Sequence, residues 1–273
     1  MYNDCDHNAE EVTAMRTRDE TGVAVIGKMA EILDAISEGI PLNASEISRS
    51  LGIPRTTVNR LLQTMVSEHM LTPTHQLGPR LVRWASKALR GSDIRQSCGP
   101  VLEKMVARFG ETASVFVRSG ATRVCLDRRE GTESVRHNID VGAAMPIHVG
   151  SAGRILLAWL TPEERQTVIA ESSSWSGVPI LQPEPDWDLI RETGWLTTVG
   201  ERDPILASVS VPLFGADGVV LAALSLSGPK MRFARPRVEE MASALREEAA
   251  RVGQQLQHVG QSQQRQLGVT EGG

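Results

Sequence analysis

The chain has 273 residues, enough for roughly two domains, and 41% hydrophobic content, enough for real cores. Its net charge of −4 argues against a uniformly basic nucleic-acid coat, but the charge is uneven. Residues 43–95 hold eight Lys/Arg against three Asp/Glu, a balance of +5 that leaves −9 for the rest. That is the pattern of a basic binding module on an acidic body.

The first twenty residues are polar and acidic, with few large apolar side chains, and read as a disordered tail. They lack a signal-peptide core. No apolar run approaches the roughly 20 residues of a membrane span, so a cytoplasmic protein is expected. Cys5, Cys98 and Cys125 are odd in number and form no CxxC pair, which argues against a disulfide framework or zinc site. His69, His75 and His137 lack metal-ligand spacing. No metal or cofactor is expected.

A helix is predicted from Val25 to Glu38, with Ile26, Met29, Leu33 and Ile36 on one face and a stop at Gly39 and Pro41. Asn43 to Met70 then reads as two helices joined at Leu51-Gly52-Ile53. Asn43 suits the first N-cap with Glu46 as its capping-box partner, and Pro54 suits the start of the second helix. At helical pitch Val58, Leu61, Leu62 and Met65 face a core. Thr56, Asn59, Arg60 and Gln63 lie opposite, with Arg55 at the border and Thr57 beside it. These polar side chains can hydrogen-bond base edges in a major groove, and the arrangement matches a helix-turn-helix. Arg49, Arg80 and Arg83 are candidate phosphate contacts.

Leu71 and Leu77 frame a very short hairpin, confined to an edge by Pro73. A helix follows from Arg80 to Leu89, broken at Gly91-Ser92, and another runs to about Arg108. The second half changes character. Residues 113–120, 122–131 and 135–142 are short β-rich runs divided by glycines. Helices are predicted at Gly150–Leu160, Pro162–Glu171 and Asp186–Glu192. Residues 205–214 and 219–227 form two strong strands, and Arg235 to about Val259 a long helix. Residues 260–273 read as a second tail. Hairpin-grouped strands with helices set apart indicate an α+β fold with an antiparallel sheet.

Five segments in order resemble the IclR family of bacterial transcriptional regulators: LGIPRTTVNRLLQTM, QLGPRL, VGAAMPIHVGSAGRILLAWL, GWLTTVGERDPILASVSVPLF and ALSLSGP. The resemblance covers about residues 23–259. It implies a winged helix-turn-helix (21–78), a linker helix (79–92) and a GAF-like effector-binding domain (93–259). It also implies a homodimer able to pair again, double-stranded operator DNA as partner, repression in preference to activation, and a small effector, often an organic or aromatic acid. The implied pocket falls on Ser151, Ala152, Thr198, Ser208, Ser225 and Ser227, with Met145 and Ile147 as apolar walls. Ser151 and Ala152 open a helix whose N–H groups would face an anion, and Ser225 and Ser227 share one strand face.

The chain departs from the family pattern in its short wing. Thr198 stands where some family pockets carry a carboxylate, and Ile205-Leu206-Ala207-Ser208 replaces a Gly-Leu-Arg-Ser run. A sensor or dimerisation module with weak non-specific DNA binding is the alternative. A serine hydrolase at Ser151 is a remote one, because Val149 breaks the G-x-S-x-G pattern; no enzyme is expected.

Overall fold

The computed structural model describes residues 24–37, 39, 43–90 and 93–266, without the side chains of 89, 90 and 258–266. The expected tail at 1–20, the helix end at Glu38 and Pro41, and the Gly91-Ser92 break lie outside the described residues. The chain divides into two compact units between Ala88 and Leu89.

The first unit is helical: α1 (Ala24–Ser37), α2 (Ala44–Leu51), α3 (Arg55–Ser67) and α4 (Pro79–Arg90). Ile32, Ile36, Ile47, Ile53, Val58, Leu61, Leu62, Met65 and Leu71 form its core. Along α1 the buried stripe is Ile32, Ala35 and Ile36, with Met29 and Leu33 packed at its edge. Ile26, expected on that face, is a turn earlier and stays exposed. Leu71 and Leu77 are joined by one antiparallel bridge. The Thr72 N–H donates to the Gln76 carbonyl at 2.8 Å across the intervening turn. Pro79 opens α4, where its missing N–H has no cost.

The second unit begins with α5 (Asp93–Phe109) and then β1 (Thr112–Ser119), β2 (Thr122–Arg129) and β3 (Ala144–Pro146). Next come α6 (Ser151–Ala158), α7 (Pro162–Ser176), α8 (Trp187–Thr193) and β4 (Leu196–Val199). β5 (Leu206–Phe214), β6 (Val220–Pro229), a 3-10 turn (Lys230–Arg232) and α9 (Arg235–Gln266) complete it. The six strands make one antiparallel sheet in the order β3-β2-β1-β6-β5-β4.

Strand alternation sorts this sheet into two faces. Ala113, Val115, Ala207, Val209, Val211, Leu213, Leu224 and Leu226 pack with apolar residues of α5 and α9. Phe116, Cys125 and Ala223 point the other way, with the core of α6, α7 and α8. The hydroxyls share that second face. Register aligns Thr112 with Ser227, Ser227 with Ser208, and Ser208 with Thr198, a row crossing four strands. Ser114, Ser225 and Ser210 form a second row beside it.

Three expectations need correction, and one strand carries too little sequence signal to be expected. Residues 135–142 form no strand: Asp140 and Gly142, with φ +88° at Gly142, turn the chain, and the short β3 pairs with β2 instead. β4, only four residues long, was too short to single out. α7 runs past Glu171 to Ser176, because Ser172 is buried and Gly177 provides a left-handed C-cap. α9 runs past Val259 to Gln266, its glutamine-rich end having good helix propensity; residues 260–266 are thus helical, and only 267–273 of the expected tail lie outside the described residues.

Candidate DNA interface and ligand pocket

The turn between α2 and α3 is set locally. The Asn43 side chain accepts the Glu46 N–H at 2.9 Å, and its amide donates to the Glu46 carboxylate. Gly52, with φ +66°, ends α2 in the left-handed region that glycine enters without strain. Pro54 is the N-cap of α3, and its carbonyl accepts the Val58 N–H at 3.0 Å.

α3 is sharply two-sided. Val58, Leu61, Leu62 and Met65 are all buried. Arg55, Thr56, Asn59, Arg60 and Gln63 are exposed on the opposite face, and Thr57 is half-buried. Arg49, near the end of α2, and Arg83, on α4, are also exposed. Arg80 differs from the other candidates. Its Nη1 lies 2.6 Å from Glu68 Oε2 and its guanidinium stacks 5.9 Å from the Trp84 ring. It ties the start of α4 to the end of α3, and part of its charge is already matched.

In the second unit a cavity of about 50 Å³ opens above the hydroxyl rows. Ser151, Ala152, Thr198, Ser208, Ser225 and Ser227 all line it, as expected. Met145 and Ile147 do not. Ile147 is fully buried in the core of α6, α7 and α8. Met145 is buried too, and its sulfur faces Arg202 Nη1 at 2.7 Å. Phe116 and Ile139 supply the apolar walls instead.

The serines form a chain of hydrogen bonds. Ser151 Oγ is 2.7 Å from both Ser208 Oγ and Ser210 Oγ, and Ser210 Oγ donates to Ser225 Oγ at 2.9 Å. Ser210 was missed, although its alternation with Ser208 along residues 207–211 puts both on one face. The N-terminus of α6 is already occupied: the Gly150 N–H donates to Glu201 Oε2 at 2.8 Å and the Ser151 N–H to Thr198 Oγ1 at 3.0 Å. The expectation that the Ser151 N–H faces an anion is therefore corrected. The Glu201 carboxylate supplies the negative charge that a helix N-terminus favours, and Arg154 Nη1 pairs with it at 2.9 Å.

Four further lining residues carry charge or protons: Arg123, His137, Arg202 and Asp203. The Arg123 Nη1 donates to the carbonyls of Pro146, at 2.6 Å, and Val149. Its Nε is buried with no hydrogen-bond partner among the described residues. Burial, and then the nearby Arg202, pull Arg123 down to about 9, against a smaller opposing effect of Glu201. Burial, then Arg202 and Arg123, push His137 down to about 4, so the ring is neutral at pH 7. His137 Nδ1 is 2.9 Å from Ser227 Oγ, and Nε2 accepts from Arg202 Nη2. Ser151 has hydroxyl partners rather than a base. His148 turns its ring nitrogens to Ser172 Oγ at 2.9 Å and the Val178 carbonyl at 3.1 Å.

Gly153 makes room for this arrangement. A Cβ there would sit 2.0 Å from the Ile147 carbonyl oxygen and 2.8 Å from Arg123 Nη1. Both neighbours are held, so Gly153→Ala is expected to destabilise the second unit by roughly 2–3 kcal/mol, read as a lower denaturation midpoint.

The family model for the IclR helix-turn-helix domain matches residues 25–74, and that for the bacterial transcriptional regulator IclR C-terminal domain matches residues 86–254. Curated relatives include the HTH-type transcriptional regulator BhcR of Paracoccus denitrificans, 26% identical over 85% of this chain and 86% of its own. Another is the HTH-type transcriptional repressor AllR of Escherichia coli, 25% identical over 84% and 86%. Among solved structures, an IclR regulator from Alicyclobacillus acidocaldarius shares the fold, with a TM-score of 0.69 at 24% identity over 85% of this chain and 98% of that one. An IclR homologue from Microbacterium hydrocarbonoxydans, solved with 4-hydroxybenzoate, matches with a TM-score of 0.62 at 25% identity over 84% and 98%. A helix-turn-helix unit and an α+β unit, each matched by its own family model, place the chain in the IclR family of bacterial transcriptional regulators.

Proposed function

We propose that this regulator is a repressor that reads operator DNA with the exposed face of α3 and changes its DNA affinity when a small organic acid enters the serine-lined pocket. The observation that carries this reading is the split of α3: four buried apolar side chains hold the helix, and Arg55, Thr56, Asn59, Arg60 and Gln63 are left free on the other side. Thr57, Arg49 and Arg83 fit phosphate contacts at its borders, and Arg80 would have to share its charge with Glu68. Repression is favoured because AllR, a relative, is named a repressor. An acid is favoured because a relative was solved with 4-hydroxybenzoate.

The protein acts as a homodimer in this reading, with its two α3 helices in successive major grooves about 34–36 Å apart. A second pairing of dimers is compatible with it, and the setting is the cytoplasm, where operator DNA lies. An effector shifts DNA binding only by its differential affinity for the two dimer arrangements; α4, which spans the boundary between the units in sequence, is the covalent path. No enzymatic step is proposed: among the described residues the Ser151 hydroxyl meets the hydroxyls of Ser208 and Ser210.

Arg60→Ala tests the reading. If Arg60 pairs bidentately with guanine, the substitution costs about 1–3 kcal/mol of operator binding and relaxes preference at one base pair. Fluorescence anisotropy with single-base operator variants measures both. Equal weakening on every DNA sequence would make Arg60 a phosphate contact, and no weakening would remove α3 from the interface. The sensor alternative predicts no difference between the upstream region of the gene and random DNA.

A further inference from the structure

We propose that Arg123 and Arg202 form a carboxylate clamp, and that an acid enters the pocket by taking the place between their two guanidiniums. This rests on the effector reading above and names its chemistry. Arg123 is 5% exposed, and Arg202, also in the lining, is exposed to solvent. Both turn towards one uncharged atom, the Met145 sulfur: Arg202 Nη1 at 2.7 Å and Arg123 Nη2 at 3.9 Å. A thioether is a weak acceptor for a guanidinium, and two cations converging on it repel each other.

Among the described residues no carboxylate lies within ion-pair distance of either arginine. The two acids of the lining act on these arginines only from beyond that distance, Glu201 on Arg123 and Asp203 on Arg202, and their direct bonds lie elsewhere. Glu201 holds Arg154 and the Gly150 N–H. Asp203 accepts the Ile205 N–H at 3.0 Å within its own turn. The Arg123 Nε is buried and unpartnered, which is costly unless a ligand completes it. The remaining hydrogen-bond partner of Arg202, His137, is neutral. Accepting at Nε2 leaves its proton on Nδ1, where it donates to Ser227 Oγ. A carboxylate that captures Arg202 frees this imidazole and the serine behind it for a second polar group of the ligand. The hydroxyls of Ser208 and Ser225 line the same space.

The test uses the full-length protein and a panel of acetate, lactate, pyruvate, benzoate and 4-hydroxybenzoate, each beside its neutral amide. Binding is read by thermal shift and calorimetry, and DNA affinity is measured on the same samples. At least one acid should bind wild type, and its amide should bind more weakly by the order of 10- to 100-fold, as expected for lost charge-assisted hydrogen bonds. Arg202→Gln should weaken the acid to the same extent and the amide far less, and Arg202→Lys should recover part of the loss. The clamp is overturned if an amide binds as tightly as its acid, if Arg202→Gln binds the acid as wild type does, or if no acid of the panel binds. The acid and amide comparison on wild type stands even if a variant folds poorly. A neutral amide that shifts DNA affinity at concentrations as low as its acid does would leave the effector reading standing and the clamp refuted, and absence of DNA preference in wild type would defeat the regulator reading alone.

Discussion

Leu62→Ala is expected to cost about 2–5 kcal/mol and to remove DNA binding with it. Leu62 is 1% exposed on the buried side of α3 and shares a core with Ile32, Ile47, Val58 and Met65. The first unit has few such side chains. A unit that small is marginal, so a deletion of this size is a large fraction of its stability. The cost includes both the lost transfer of the side chain and the cavity left behind. Chemical denaturation followed by DNA titration checks it. The helix-turn-helix should unfold at lower denaturant and operator affinity should fall across all sequences, unlike the base-selective loss expected for Arg60→Ala. The exposed control Gln63→Ala, one position along, should change stability by less than about 0.5 kcal/mol.

Arg232→Ala should cost the second unit about 3 kcal/mol. Glu111, between α5 and β1, is fully buried, and Arg232 grips both its oxygens, Nε to Oε1 at 2.5 Å and Nη2 to Oε2 at 2.6 Å. Arg237 lies farther away at 3.7 Å and spends its Nη2 on the Phe109 carbonyl. Removing Arg232 strands a buried carboxylate, which typically costs about 3–5 kcal/mol. The lower end applies because the Arg232 side chain is 24% exposed and water can enter where it leaves. The Glu111→Gln substitution in the same background should restore part of the loss, since a neutral amide needs no counter-ion. If the double variant is no more stable than Arg232→Ala alone, the cost comes from packing rather than charge.

Much of the first unit was legible because its signals are local and redundant. The cap at Asn43, the glycine at 52 and the spacing of Val58, Leu61, Leu62 and Met65 all specify the same helix pair, and the structure buries that set of four. Ile26 shows the limit. Periodicity gives the direction of a side chain, and whether a neighbour covers it depends on tertiary packing. In the second unit, strong alternation marked β5 and β6, and the resemblance located six lining residues.

The charged part of the pocket was hidden for a physical reason. Arg123 sits on a strand whose pattern looks ordinary, and Arg202 lies in a turn among the charged residues 201–203. Arginines in such places are usually solvated. Only the sheet register, which sets Arg123 opposite Met145, brings the two guanidiniums to one sulfur. The same applies to Glu201: its role at the start of α6 needs a contact across fifty residues of chain. Ile147 misled because an apolar residue beside a pocket motif can belong equally to the core behind it.

The most direct measurement is a salt-series binding titration of wild type and of the Asn59→Ala/Gln63→Ala double variant, on the upstream region of the gene and on shuffled DNA of equal length. Wild type should prefer its own site by at least about 10³-fold, the lower range for specific recognition. The double variant should lose most of that preference while keeping the steep salt dependence that phosphate contacts produce. A double variant that discriminates as well as wild type, or a wild type that binds both DNAs alike, would contradict the assignment of α3 as the reading surface.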